Sequence, residues 1–423
     1  MTATAVQQSP SYALLLRRNR NYAALWLGQL VSVFGDRLHQ VALLVLVGSL
    51  TSNNLGQIAL VFVVLGAPSL LFGLFAGALV DRWDRRRVML AADLIRVPMV
   101  VSIPFLARVD LLWVYVMAFL LTSVGLFFKP AKDATIPNIV SEEDGLMKAN
   151  SLSSATDTLV DVLGYPLARV LVAGLWGLLA EGHGIELAFY VDAATYGFSA
   201  LMIYRISASR TRTEQTEAAA LGGLGCAILG GLHFVRSSAV LFTNTAIVTV
   251  AVLLFWGSYT LTYGYATEVT ETGAFGYSML EAALGLGAMV GGLAVGRWGE
   301  RFRKGPTILL GLVVMGATDI SLAFFTNLWL AAGVVAFGGA ANMLFVIPSI
   351  TLVQQVTPDE FRGRVSGLRT TLFCVAGLAS NALVGPAAER FGVQTTWAIT
   401  GTLLMLLGLL SFLLPSARNA GPR

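Results

Sequence analysis

Apolar stretches long enough to cross a bilayer recur along the whole chain. A spanning helix needs about 20 mostly apolar residues. Such stretches lie near 23–49, 57–80, 88–107, 111–128, 149–180 and 186–204, then near 239–263, 278–298, 306–325, 328–352, 366–388 and 395–414. Lipid offers no partner to a backbone N–H or C=O, so each stretch must satisfy its own polar groups as a helix. The pattern predicts an all-α membrane protein with twelve transmembrane helices, six plus six. Composition agrees: 56% of residues are hydrophobic and only 12% charged, where a soluble domain carries about a quarter. A net charge of +4 gives nucleic-acid binding no support. Cys226 and Cys374 both fall in or beside apolar stretches, so no disulfide framework is implied. The first apolar run follows Arg17, Arg18 and Arg20 and is of spanning length, unlike a cleavable signal.

The two sets of spans suggest an N-terminal six-helix bundle over 1–204 and a C-terminal one over 239–423, joined by a linker at 205–238. Ser207 to Glu217 is polar, whereas 221–237 is apolar and glycine-rich, interrupted by His233 and Arg236. The latter is expected to lie along the membrane surface as a helix. Arginine and lysine cluster on one side, at Arg82, Arg85, Arg86, Arg87, Arg205, Arg210, Arg212, Arg297, Arg301, Arg303, Lys304, Arg362, Arg364 and Arg369. The opposite loops hold Arg108 and Arg390. This bias places both termini in the cytoplasm, and the chain is expected to be a monomer in the plasma (inner) membrane.

The second and third spans are joined by a charged stretch, Gly77-x-Leu79-x-Asp81-Arg82-x-x-Arg85-Arg86. A faded copy recurs half a chain later, where Gly292, Arg297 and Trp298 keep their places and Gly296 stands for Asp81. Pro137 with Glu142 and Glu143 matches Pro358 with Asp359 and Glu360, and Gly164-Tyr165-Pro166 matches Gly385-Pro386. Parallel repeats of six spans mark one class of transporter. The Gly77–Arg86 stretch resembles the helix 2–3 signature of the major facilitator superfamily, with Asp84 in place of the usual glycine. Asp84, Gly35-Asp36 and Ala149-Asn150-Ser151-Leu152 are similar to the drug- and siderophore-efflux branch, which includes macrolide and multidrug exporters and the enterobactin exporter. Gly164-Tyr165-Pro166 resembles the helix 5 motif of drug/proton antiporters, from whose glycine-rich form Tyr165 and Arg169 depart. The resemblance implies two pseudo-symmetric bundles rocking about a central cavity, a small-molecule substrate exchanged for protons, and no cofactor.

A charge inside a span costs about 2.5–3.5 kcal/mol on insertion scales, so each needs a reason. Asp36, Arg37 and His39 fall near the middle of the first span. Asp36 and His39 share a helix face. Asp36 is the candidate proton carrier; the plainer reading is an ion pair that fixes packing. Asp157 and Asp161 lie one turn apart on one face of the fifth span, an arrangement suited to taking and releasing a proton; pairing to nearby bases is the alternative. Asp192 reads as a capping or packing residue. Asp319 is the one acid expected deep in the second-half spans, and Asp93 with Arg96 is expected to join the charge cluster at the inner surface. In the signature, Asp81 could hold the N-terminus of a facing helix. Arg82, Arg85 and Arg86 could pair with Asp93, Asp133 or loop acids as a latch, with Gly77 allowing close approach; alternatively the arginines only enforce topology. Gln29, Trp256, Tyr259, Tyr263, Asn342 and Gln354 could line a cavity, since ring faces attract flat or cationic ligands, although such rings more often pack or anchor.

Enzyme signatures are missing. Gly197-x-Ser199 lacks the closing glycine of a nucleophile elbow, and the histidines at 39, 183 and 233 have no metal spacing. No phosphate-binding loop is present, so ATP is not the expected energy source. Two rival readings use the same fold. One is a lysophospholipid or lipid flippase. The other is a metal exporter, because Gly35-Asp36-Arg37 with His39 also resembles the helix 1 stretch of ferroportins; the seventh span, however, has no His or Cys to complete a metal site.

Overall fold

The computed structural model describes residues 12–80, 83–140, 184–206, 232–298 and 303–418, with scattered positions between Ala149 and Leu171. Among these residues every regular element is helical. In chain order they are α1 (Tyr12–Arg18), α2 (Arg20–Leu50), α3 (Leu55–Val80), α4 (Arg85–Ala107), α5 (Leu111–Gly125), α6 (Phe128–Ile139), α7 (Gly184–Tyr204), α8 (Ala239–Phe255) and α9 (Ser258–Gly264). A π-helical turn (Tyr265–Val269) follows, then α10 (Gly273–Trp298), α11 (Lys304–Leu322), α12 (Leu328–Val356), α13 (Asp359–Phe391), α14 (Val393–Ser411) and α15 (Pro415–Arg418). Eleven of the described helices, some of them joined across short breaks, are long and apolar enough to cross a membrane. The remaining expected span, 149–180, falls largely outside the described residues.

Several boundaries differ from the apolar pattern. The fourth span runs on through α6 to Ile139, past Pro137, with Lys132 buried within it. The seventh span bends at Trp256 and Gly257, where Gly257 N donates to Ser380 Oγ of α13 at 2.7 Å. It then continues to Val269 through the π turn. At the start of α4, Asp84 caps the helix by accepting from Arg87 N at 3.0 Å. That cap gives the residue standing in place of the signature glycine a structural job.

Packing groups the chain into two units that do not coincide with the expected halves: Met1–Ala42, Leu71–Gly164 and Leu171–Gln215 in one; Leu43–Leu70, Tyr165–Val170 and Thr216–Arg423 in the other. In the first unit, Leu15, Tyr22, Leu25, Met89, Phe128 and Ile203 form a buried cluster that joins α1, α2, α4, α6 and α7. Polar ties add to it. Tyr22 OH donates to Ala149 O at 2.6 Å, and Trp26 Nε1 to Thr156 Oγ1 at 2.8 Å. At the far end, Arg108 Nη2 donates to Glu186 Oε1 at 2.6 Å, and that bond pushes the Arg108 pKa up.

The second unit is built on close helix contacts. With no hydrophobic drive between helices in lipid, small residues let backbones approach and pack. A Cβ on Gly287 of α10 would lie 1.7 Å from Ala336 O of α12, and one on Gly339 would lie 2.2 Å from Leu284 O. Only glycine fits there. Gly296, at the position that matches Asp81, meets nothing within 4 Å, so the repeat copy keeps no such contact. The unit also takes in the end of α2 and the first part of α3, to Leu70. Tyr263 OH donates to Asn53 Oδ1 at 3.0 Å, and Glu389 Oε1 accepts from Gly56 N at 2.6 Å. Tyr263 is thus buried as a tie between helices, which corrects its placement among cavity-lining residues.

Candidate functional site

The buried charges of the first unit meet where α2, α4 and α7 pack together. Gly35 makes this possible: a Cβ there would stand 2.1 Å from Thr195 Oγ1 and 2.6 Å from Asp192 Oδ1. With α7 this close, Tyr196 OH donates to Asp36 Oδ1 at 2.5 Å. Arg96 Nη1 stands 4.0 Å from the same oxygen. Asp36 remains 43% exposed at its side chain while Arg96 is 7% exposed, so the acid sits at the open edge of the cluster and the base beneath it.

Arg96 is held in place from several sides. Its Nη2 bonds Asp93 Oδ1 one turn away on α4, and its Nε donates to Ala92 O at 3.3 Å. The guanidinium lies over the Tyr196 ring at 4.2 Å and the Phe128 ring at 5.4 Å. Ring faces stabilise a cation that has lost its water. Asp93 is fully buried. Asp93 and Arg96 therefore belong to the Asp36 cluster, which corrects their expected place in the surface charge cluster. The guanidinium is shared: Asp93 holds it tightly, and Asp36 contacts it loosely.

A second polar pair adjoins the first. His39, one turn along α2 from Asp36, brings Nδ1 within 3.2 Å of Asp192 Oδ2, although neither atom completes a hydrogen bond among the described residues. Both side chains are buried, and Phe189 packs edge-on against the imidazole at 5.3 Å. Asp192 Oδ1 accepts from Thr195 Oγ1 at 3.3 Å. The capping or packing role expected of Asp192 gives way to a buried acid facing a histidine. Three carboxyl groups thus face one guanidinium and one imidazole. Of these three carboxyl groups, Asp93 and Asp192 are fully buried and Asp36 reaches the open edge.

The other predicted site residues sort as follows. Gln29, two turns before Asp36, has a buried Oε1 with no hydrogen-bond partner among the described residues. Arg37 turns away from Asp36: its Nη1 donates to Gln40 Oε1 at 3.2 Å, and its stem packs where a Cβ on Gly164 would lie 3.0 Å from Arg37 Cγ. Gly164 thus provides room for Arg37. Asp157, Asp161 and Pro166 lie outside the described residues, as do Asp81 and Arg82. Gly77 falls in the last turn of α3. Arg85 Nη1 donates to Ala134 O at 2.8 Å, and Arg86 donates to Ile203 O at 3.2 Å and to Tyr204 O. Neither arginine pairs with Asp93 or Asp133 as expected: Asp93 is deep in the span, and Asp133 stands 4.0 Å from Lys132 Nζ. The signature arginines instead tie α4 to the carbonyls of α6 and of the end of α7.

In the second unit, Trp256 is 46% exposed and meets Tyr259 edge-on at 6.4 Å, with Phe62 on the other side of Tyr259 at 5.9 Å. Asn342 Nδ2 reaches Met315 Sδ at 3.8 Å. Sequence reasoning missed three residues. Tyr196 carries no charge to betray it. Glu281, taken for part of an ordinary span, is buried, so Asp319 does not stand alone. Arg369, counted with the surface positive charges, is buried in α13 and donates to Ser349 Oγ at 3.2 Å, which in turn donates to Asn244 Oδ1 at 3.1 Å.

Comparison with known proteins fits this geometry. Residues 11–420 match the model of a family described as transmembrane secretion effectors, of the major facilitator (MFS) class. The chain is 27% identical over 412 residues, covering 94% of both chains, to the uncharacterized MFS-type transporter YfiS of Bacillus subtilis (strain 168). It is 29% identical over 366 residues to the multidrug efflux pump Tap of Mycolicibacterium fortuitum, covering 83% of this chain and 85% of the relative. Among solved structures, the nucleoside transporter NupG superposes with a TM-score of 0.73 at 12% identity, covering 92% of this chain and 98% of that one, which establishes the fold.

Proposed function

Since the chain belongs to the transmembrane secretion effector family of major facilitator transporters, we propose that it exports a hydrophobic or amphiphilic small molecule in exchange for protons. It is a multi-pass membrane transporter and not an enzyme. The substrate class follows from a relative that pumps several drugs and from an aromatic set, Trp256 and Tyr259, suited to flat or cationic molecules. The two six-span halves, 1–204 and 239–423, rock about a central cavity in the plasma membrane, with both termini cytoplasmic.

The observation that carries proton exchange is the half-exposed Asp36 carboxylate, in contact with a buried guanidinium that Asp93 already holds. A carboxylate so placed can take a proton, or release it when a cationic substrate arrives, without unfolding its surroundings. Asp157 and Asp161 extend this role along the fifth span. Gln29 and Arg37 in the first unit, and Asn342 with the rings in the second, are the candidate substrate contacts. Asp81 and Arg82 form the latch that opens when the cavity turns inward, while Arg85 and Arg86 brace α4 against α6 and α7 beside it.

The test is reconstitution into liposomes with an imposed pH gradient and a panel containing a macrolide, a cationic dye, a siderophore and a lysolipid. The wild type should move protons when one of the first three is added, and Asp36→Asn should lose that movement with its fold intact. Coupling that persists in Asp36→Asn sinks the assignment. A response to the lysolipid alone favours the flippase.

A further inference from the structure

One buried titratable pair lies outside the proposed exchange. Two polar rungs join α2 to α7. In the first, Tyr196 OH donates to Asp36 Oδ1. In the second, one turn away on each helix, His39 faces Asp192. The first rung is open, since the Asp36 side chain is 43% exposed. The second is closed, with the His39 side chain 6% and that of Asp192 0% exposed.

The imidazole is held by what surrounds it. Phe189 meets it edge-on at 5.3 Å, Nδ1 stands 3.2 Å from Asp192 Oδ2, and Thr195 Oγ1 donates to Asp192 Oδ1 at 3.3 Å. Nε2 is buried and has no hydrogen-bond partner among the described residues. The two ring nitrogens are therefore unequal. In a neutral imidazole the proton stays on the nitrogen that faces an acceptor. Here that is Nδ1, which leaves Nε2 with a free lone pair. A proton added at Nε2 makes an imidazolium that the Asp192 carboxylate stabilises and burial opposes. With these effects opposed, the ring can bind and release a proton where histidine ordinarily titrates, at about pH 6.5. The other charged or titratable groups of this region, among the described residues, are Asp36 on α2, Asp93 and Arg96 on α4, and Tyr196 on α7. Asp93 and Arg96 hold each other and Tyr196 is committed to Asp36, which leaves Asp192 as the acid at the ring.

We propose that His39 is a second proton-binding residue, taking a proton at Nε2, and that Asp192 positions it by facing Nδ1–H. The proton comes from solution, one N–H bond forms at Nε2, and no other bond is made or broken. Use of this second proton in transport rests on the proposed exchange; its binding does not.

Nitrogen-15 NMR of the histidine-labelled full-length chain in liposomes tests this without any substrate. His183→Gln and His233→Gln leave His39 as the one imidazole. Its signals should pass from imidazolium to imidazole between about pH 5 and pH 8, and Nε2, not Nδ1, should be the nitrogen that loses its proton. Adding Asp192→Asn should move the step to lower pH by about one unit or more, the effect of removing a nearby opposite charge, and Asp192→Glu should restore it. Adding Asp36→Asn should leave a step in place, which separates this site from the exchange reading. Signals that stay constant across the range overturn the proposal, as does a step unmoved by Asp192→Asn or abolished by Asp36→Asn. If Asp192→Asn fails to fold, the unsubstituted pair still decides: loss of the proton from Nδ1 overturns the assignment.

Discussion

Arg96 bonds Asp93 on its own helix and approaches Asp36 on another, so its loss should be felt on both. Arg96→Gln leaves Asp93 buried and unpaired, and removing one partner of a buried pair costs about 3–5 kcal/mol. Thermal unfolding in detergent should show that loss, and adding Asp93→Asn should recover most of it. A double variant no more stable than Arg96→Gln would contradict the pairing. Asp36 could be picked out from its charge alone, because an acid in a span needs a reason. Tyr196 could not, since a phenol in an apolar helix looks like any packing ring until its hydroxyl is seen on a carboxylate. Charge marks a candidate, but partners are decided by side chains far apart in sequence, such as Asp36 and Tyr196.

At the scale of elements, glycine positions set which helices can carry polar contacts. A methyl on Gly35 would collide with Thr195 Oγ1 and Asp192 Oδ1, and overpacking of this kind costs about 1–3 kcal/mol. Gly35→Ala should lower the unfolding temperature, and Thr195→Ala in the same chain should restore part of it by removing the nearer obstacle. An unchanged unfolding temperature in Gly35→Ala would mean that α2 and α7 do not pack so closely. The sequence announced these helices well because lipid demands long apolar runs. It announced their ends poorly. The fourth span continues to Ile139 and the seventh to Val269 because burial of Lys132, the Ser380 bond to Gly257 and a π turn override the local pattern. None of these can be read from hydropathy, which records composition and not contacts.

For the whole molecule, the proposed orientation, with both termini cytoplasmic, rests on the arginine and lysine bias. Single cysteines placed before Arg17 and after Arg418, in a chain lacking Cys226 and Cys374, should react with an impermeant maleimide only from the cytoplasmic side. Labelling of either from outside would overturn the assignment. By itself the sequence determined the solvent, the helical class and the family, because each is written in local composition or in a motif. Tertiary structure decided what those residues do. The signature arginines, placed by sequence beside Asp93 or Asp133, bond carbonyls of α6 and α7 instead. Asp192, read as a capping or packing residue, is buried facing His39, and Glu281 shares a pocket with Asp319. The physical reason is the same in each case. A buried polar group is satisfied by whatever the packing brings within about 3 Å, and in a helical membrane protein packing joins residues separated by scores or hundreds of positions along the chain.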